Sequence, residues 1–181
     1  MADGAVLGID PGRRWTAGVV RVGADAVYGW TVGPVDEHGT PSPAAVDNLH
    51  DLTAWARYMA RIIDAIETSM EHAPGGRMAL ACEVVVPPGG RIALADWLIP
   101  RQVLTGVLAY DPRTVQVRPA RHGQRRPVAE HYPPPLWPAR NGGRGGRPPH
   151  WGPSEARRGE RDHERAAFDV AGEAAELLAR R

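Results

Sequence analysis

A chain of 181 residues with 43 % hydrophobic content is long enough to bury a core and too apolar for global disorder. It contains no run of about 18 apolar residues, which excludes a membrane-spanning helix, and the stretch MADGAVLGID lacks the basic-then-apolar order of a secretory signal. All 22 basic residues are arginine against 21 acidic ones, so the net charge is +1 and any mechanism that needs a lysine is excluded.

Three strands are expected first, over residues 5–10, about 15–22 and 26–33, with Gly23 and Asp25 at the second turn. Ser42 followed by Pro43 is a helix-start signal, because the hydroxyl caps free amides and proline suits the first helical position. Val46, Leu49, Leu52, Ala56, Met59, Ile63, Ile66 and Met70 then recur at three- and four-residue spacing, which predicts an amphipathic helix ending before Gly75 and Gly76. RMALACEVVV reads as a strand apolar on both faces, hence central and covered by helices. The single cysteine, Cys82, lies in that run; it excludes an intrachain disulfide, reads as a plain buried thiol and fits a reducing cytoplasm.

A helix is expected over 94–110, divided or kinked at Pro100, and RTVQVRP is a further strand. Residues 119–153 contain nine prolines and six glycines without apolar periodicity, and so form a long irregular loop. The last helix is expected over roughly 154–180, with Ala167, Val170, Ala171, Ala174, Leu177 and Leu178 as its stripe. A meander followed by alternating strands and helices argues for an α/β fold with a mixed sheet. Charge is uneven along this order: residues 118–165 carry 11 arginines against 5 acids. A basic segment on an acidic body points to a polyanionic partner; the competing reading is a solvated, arginine-rich loop.

Two carboxylates stand out. Asp10 ends the first strand on the same face as Val6 and Gly8, either as a turn aspartate or as a metal ligand. Glu83 lies late in a strand whose neighbours are all apolar, where an unpaired carboxylate would cost several kcal/mol. It needs an arginine or a metal ion. Ligand sites of open α/β sheets gather at strand carboxyl ends, and hard oxygen donors suit Mg²⁺ or Mn²⁺.

The sequence LGIDPG, a strand glutamate about seventy residues later, and a last helix carrying acids and His in HERAAFDVAG resemble the RuvC group of Holliday junction resolvases, of the ribonuclease H-like superfamily. The resemblance extends over nearly the whole chain, and the arginine- and proline-rich loop and the ending look closer to phage-type relatives. It implies a ribonuclease H-like mixed five-stranded sheet flanked by helices. Residues 1–181 would form one nuclease domain, with a basic Gly/Pro/Arg-rich loop at about 119–153. The implied activity is metal-dependent cutting of four-way or other branched DNA, in recombination and repair. A homodimer would carry it out with two Mg²⁺ or Mn²⁺ ions per site, in the cytoplasm of a bacterial cell or a phage-infected host.

Carried over residue by residue, the resemblance implies Asp10 and Glu83 as catalytic metal ligands. In the last helix the family pattern is Asp or His, two residues, then Asp-Ala; His163 takes the first place and Ala166 stands where the second acid belongs. At 100° per residue His163 falls about 25° from the centre of the apolar stripe, whereas Asp162 and Asp169 fall more than about 120° from it. His163 is therefore ranked third. By the stripe alone Asp169 is solvated, but it is one turn from Ala166 and could reach back if the helix sits edge-on, so it is ranked fourth with Asp162 next. The alternative for all three is an exposed, metal-free role. Arg118, Arg121, Arg125, Arg126, Arg140, Arg144 and Arg147 would contact phosphates. Tyr132, Trp137 and Trp151 would either stack on unpaired bases or pin the loop to the body. Where some relatives place an aromatic wedge, this chain has Val84, Val85 and Val86.

Three competing readings follow from the same residues. GIDPG also opens the phosphate loop of actin-like and sugar-kinase ATPases, but those need two such domains. A YqgF-like RNA-processing nuclease uses similar acids in a shorter chain that lacks this loop. A non-catalytic branched-DNA-binding protein would have lost its last acid at Ala166.

Overall fold

A computed structural model describes residues 4–86, 90, 93–118, 128–138, 148–156 and 161–180. Five strands, β1 (Ala5–Asp10), β2 (Thr16–Val22), β3 (Asp25–Val32), β4 (Met78–Glu83) and β5 (Val115–Val117), form one mixed sheet in the order β3-β2-β1-β4-β5. The first three make an antiparallel meander; β4 joins β1 and β5 joins β4 in parallel. Helices α1 (Leu52–His72) and α2 (Leu94–Tyr110) serve as the long connections that parallel pairing requires. The short α3 (Val128–His131) and the final α4 (Asp162–Ala179) complete the order. No helix among the described residues is long and apolar enough to cross a membrane.

Side-chain alternation divides the sheet into two faces. Leu7, Ile9, Val20, Trp30, Leu80 and Cys82 pack with Tyr58, Ile62, Ile66, Ile99, Val103 and Val107 of α1 and α2. Val6, Ala81, Val115 and Val117 pack on the other side with Val170, Ala171 and Ala174 of α4. Gly8 lets α4 come flush with β1, since a Cβ there would overlap the Ala167 carbonyl oxygen and the Ala171 amide nitrogen.

Several expected boundaries move. The first helix starts at Leu52, not after Ser42, because Asp51 is its cap and accepts from the amides of Thr53 and Ala54, both at 3.0 Å. Residues 42–50 are turns closed by Ala45 N–H to Ser42 O and Asp47 N–H to Ala44 O. Val46 is buried nonetheless, while Leu52 and Ala56 of the expected stripe are exposed; the inward face is Ala54, Tyr58, Met59, Ile62, Ala65, Ile66 and Ser69. Replacing Asp51 by Ala should lower stability by about 1 kcal/mol, read as a fall in the urea midpoint at unchanged slope.

The second helix runs through Pro100 undivided, its buried proline lying on the core side. At the far end, α4 begins at Asp162 because the preceding residues are used differently. Residues 152–155 run beside β3, with Gly152 N–H to Gly29 O at 3.0 Å, Thr31 N–H to Pro153 O at 2.8 Å and Glu155 N–H to Thr31 O at 3.0 Å. Arg61 of α1 reaches round that edge to the Glu155 carboxylate and the Gly33 carbonyl, and Glu155 also accepts from Gly33 N–H at 2.8 Å.

Candidate functional site

The parallel register of β1 and β4 pairs Ile9 with Cys82, so Asp10 and Glu83 follow side by side at the carboxyl edge of the sheet. Alternation puts both on the α4 face, in line with Gly8 and Ala81. On the opposite face of the sheet, the Cys82 thiol is pushed well above its ordinary range, first by its own burial and then by the charges of Asp10 and Glu83.

The last helix supplies the third group by simple geometry. From Gly8 to Asp10 the strand advances about 6.6 Å, and from Ala167 back to His163 the helix retreats about 6 Å. Because Ala167 lies over Gly8, His163 comes to stand over Asp10, with its Nδ1 2.8 Å from Asp10 Oδ2. The His163 side chain is 39 % exposed and that of Asp10 16 %, so the pair opens to solvent. The positive amide end of α4 lies on the same edge and favours negative charge there.

Three polar sets absent from the sequence reading hold this edge. Tyr58 of α1 donates to the Gly12 carbonyl at 3.0 Å and shares a 2.7 Å bond with Thr16 Oγ1, fixing the turn that follows Asp10. Burial pushes the Tyr58 hydroxyl well up. Arg13 forks onto Asp47 at 2.6 and 2.8 Å and reaches Asp96, in the first turn of α2, at 2.6 Å. Beside His163, Glu164 is buried and takes Arg161 at 3.4 Å and the Thr31 hydroxyl at 3.3 Å, tying the first turn of α4 to β3. The only sequence signal was the position of Glu164 one turn before Ala167 on the apolar stripe.

The structure does not bring the other two candidate ligands to this cluster. Asp162 is exposed and paired with Arg165. Asp169 lies six residues beyond His163, about 9 Å further along the axis and about 240° round it. It is buried, contrary to its expected solvated position, because its oxygens accept from Tyr132 Oη at 2.6 Å and lie 3.0 Å from His131 Nε2.

Of the two readings for the loop aromatics, the structure takes the pinning one. Tyr132 and Trp151 are buried with Ala17, Val19, Leu136 and Phe168, and Trp137 packs against the same cluster while donating to the Tyr132 carbonyl at 2.7 Å. Arg118 is exposed just beyond β5, on the sheet edge that carries Asp10 and Glu83. Arg121, Arg125, Arg126, Arg140, Arg144 and Arg147 lie outside the described residues.

Among the described residues no three His, Cys, Asp or Glu side chains are gathered closely enough to enclose an ion. Asp10 and His163 are in contact, and Glu83 stands on the adjoining strand. The 2.8 Å between His163 Nδ1 and Asp10 Oδ2 is a hydrogen-bond distance. Two carboxylates at an edge that opens to solvent are donors of the kind a hard divalent cation takes, and the imidazole beside them adds a softer nitrogen donor.

No family model matches the chain, and no curated protein matches it in sequence. In structure it is similar to T. thermophilus RuvC, solved in complex with a Holliday junction substrate, with a TM-score of 0.53 at 17 % identity. The likeness covers 97 % of this chain and 95 % of that one. The fold is therefore RuvC-like, a ribonuclease H-like mixed five-stranded sheet flanked by helices, as the amino-terminal and strand motifs led one to expect.

Proposed function

We propose that this chain is a Mg²⁺- or Mn²⁺-dependent endonuclease that cuts four-way junctions or other branched DNA. The observation that carries the reading is Asp10 beside Glu83 with His163 on Asp10, at the carboxyl edge of a RuvC-like sheet. The likeness to a protein solved on a Holliday junction supports the choice of substrate.

Asp10, Glu83 and His163 would hold the cations, Asp10 lying between the other two. When bound, such ions supply an activated water and stabilise the leaving oxygen of an in-line displacement at phosphate. The remaining work falls to the protein. Tyr58 and Arg13 fix the turn after Asp10, so that its carboxylate is presented in one orientation. The bond to Asp10 orients the imidazole of His163. Arg118 meets backbone phosphate at the edge, and the six arginines of the basic loop would extend that contact, their forked guanidinium groups gripping phosphate better than lysine would. One such domain per chain, paired as a phage-type homodimer, would present two sites for symmetric cuts.

A second reading is favoured by one residue. Ala166, one turn beyond His163, stands where the resembling family has an acid, and among the described residues no third ligand closes on the Asp10–His163 pair. The protein would then bind branched DNA without cutting it.

Incubation with labelled four-way, forked and linear duplex DNA in Mg²⁺ and then Mn²⁺ separates the two. Paired symmetric nicks on the junction, absent on linear duplex, are the expected result. Tight junction binding with no cut in either metal would establish the non-catalytic reading instead.

A further inference from the structure

Residues 128–138 present a structural problem. Four of these eleven residues are proline, and the backbone bonds within the stretch are local: Tyr132 N–H to Val128 O, Leu136 N–H to Pro133 O and Trp137 N–H to Pro134 O, at 2.9–3.1 Å. What fixes it to the body is side-chain contact with α4 and with Ala17 and Val19 of β2. Leu136 is fully buried, Arg165 donates to the Leu136 carbonyl at 3.0 Å, and Tyr132 and His131 both reach the Asp169 carboxylate. Phe168 packs beneath Tyr132, and Arg21 of β2 stacks on Phe168 at 4.1 Å. Asp169 is thus the one carboxylate of α4 turned into this segment, buried on the β2 side and away from Asp10.

The segment is bracketed in sequence by positive charge. Arg126 is two residues before Val128, and Arg140 two residues after Pro138. Positive charge therefore adjoins the segment in sequence on both sides.

We infer that Asp169 is a positioning residue: by holding Tyr132 and His131 it fixes residues 128–138 against α4, and so governs how tightly the protein grips branched DNA and not how fast it cuts. The DNA half of this statement rests on the nuclease reading; the anchor itself does not.

The test compares Asp169→Asn and Tyr132→Phe with Glu83→Gln as the reference for a lost ligand. In DNA-free protein, amide hydrogen exchange over residues 128–138 should rise about tenfold or more in both variants, with the strands unchanged. With a four-way junction and Mg²⁺, both should raise KM about tenfold, as expected for losing a hydrogen bond to a charged group. Their kcat should stay within about twofold and the Mg²⁺ concentration for half-maximal cutting should not move, whereas Glu83→Gln should shift it or abolish cutting.

Unchanged exchange overturns the anchor. Raised exchange with unchanged KM overturns its role in DNA binding. Lost kcat and a shifted Mg²⁺ requirement in Asp169→Asn, with Tyr132→Phe behaving as wild type, would make Asp169 a ligand after all. If Asp169→Asn does not fold, Tyr132→Phe, which removes one hydroxyl, decides on the same readouts. A wild-type protein that cuts no DNA sinks the nuclease reading, while the exchange result still decides the anchor.

Discussion

If the chain is the proposed nuclease, Asp10→Asn should lower junction nicking by about a thousandfold or more while leaving the fold intact. Asp10 is the one group placed to serve both Glu83, beside it on β4, and His163, above it on α4. The amide keeps the shape and a hydrogen bond to the imidazole but removes the negative charge that a divalent cation needs. Several kcal/mol of transition-state stabilisation come from a metal in such sites, and about 4 kcal/mol corresponds to a thousandfold in rate. Because the carboxylate is at the solvent edge, its neutralisation should move the melting temperature by no more than about 2–4 °C, the shift that 1 kcal/mol produces at this size. Nicking assays in parallel with thermal melts check both halves. A variant that still cuts within tenfold of wild type would remove Asp10 from the chemistry.

Gly8→Ala strikes the same site through the fold. The added methyl would overlap backbone atoms, the Ala167 carbonyl oxygen and the Ala171 amide, which the hydrogen bonds of α4 hold in place. Neither can swing away as a side chain would, so the helix must lift from β1. Overpacking of this kind costs up to about 3 kcal/mol and on occasion more, a fall of about 6–12 °C in melting temperature for a chain of this size. His163 rises with the helix, so nicking should drop even at temperatures where the variant is folded. Gly4→Ala is the control: its Cβ would meet nothing within 4 Å, and it should match wild type in both assays. A Gly8→Ala protein as stable as wild type would mean that α4 does not sit flush on β1.

These two effects reflect what could be read from the chain beforehand. Strands β1 to β4 and the positions of Asp10 and Glu83 were legible because strand alternation and apolar runs are local signals, and a carboxylate among valines stands out. The apolar stripe of the last helix likewise set His163 toward the sheet. The stripe misjudged Asp169, since nothing in an α-helix announces that a tyrosine 37 residues earlier in the chain will cover its polar side. Residues 152–155 offered no alternation and contained Gly152 and Pro153, so their pairing with β3 had no periodic signature. The start of α1 was misplaced for a related reason: Ser42-Pro43 is a sound cap by composition, but Asp51 carries two amide bonds and wins.

The contact between Asp10 and His163 joins residues 153 positions apart. During synthesis, therefore, β1 and β4 can pair and bring the two carboxylates together long before the imidazole exists. Until α4 docks, the face bearing Val6, Gly8 and Ala81 has no cover, and that docking covers the bare face and completes the site in one event. Before that event the chain exposes an apolar sheet face and lacks the Asp10–His163 contact. Both gains come with the eighteen-residue α4, which follows all five strands of the sheet in the chain.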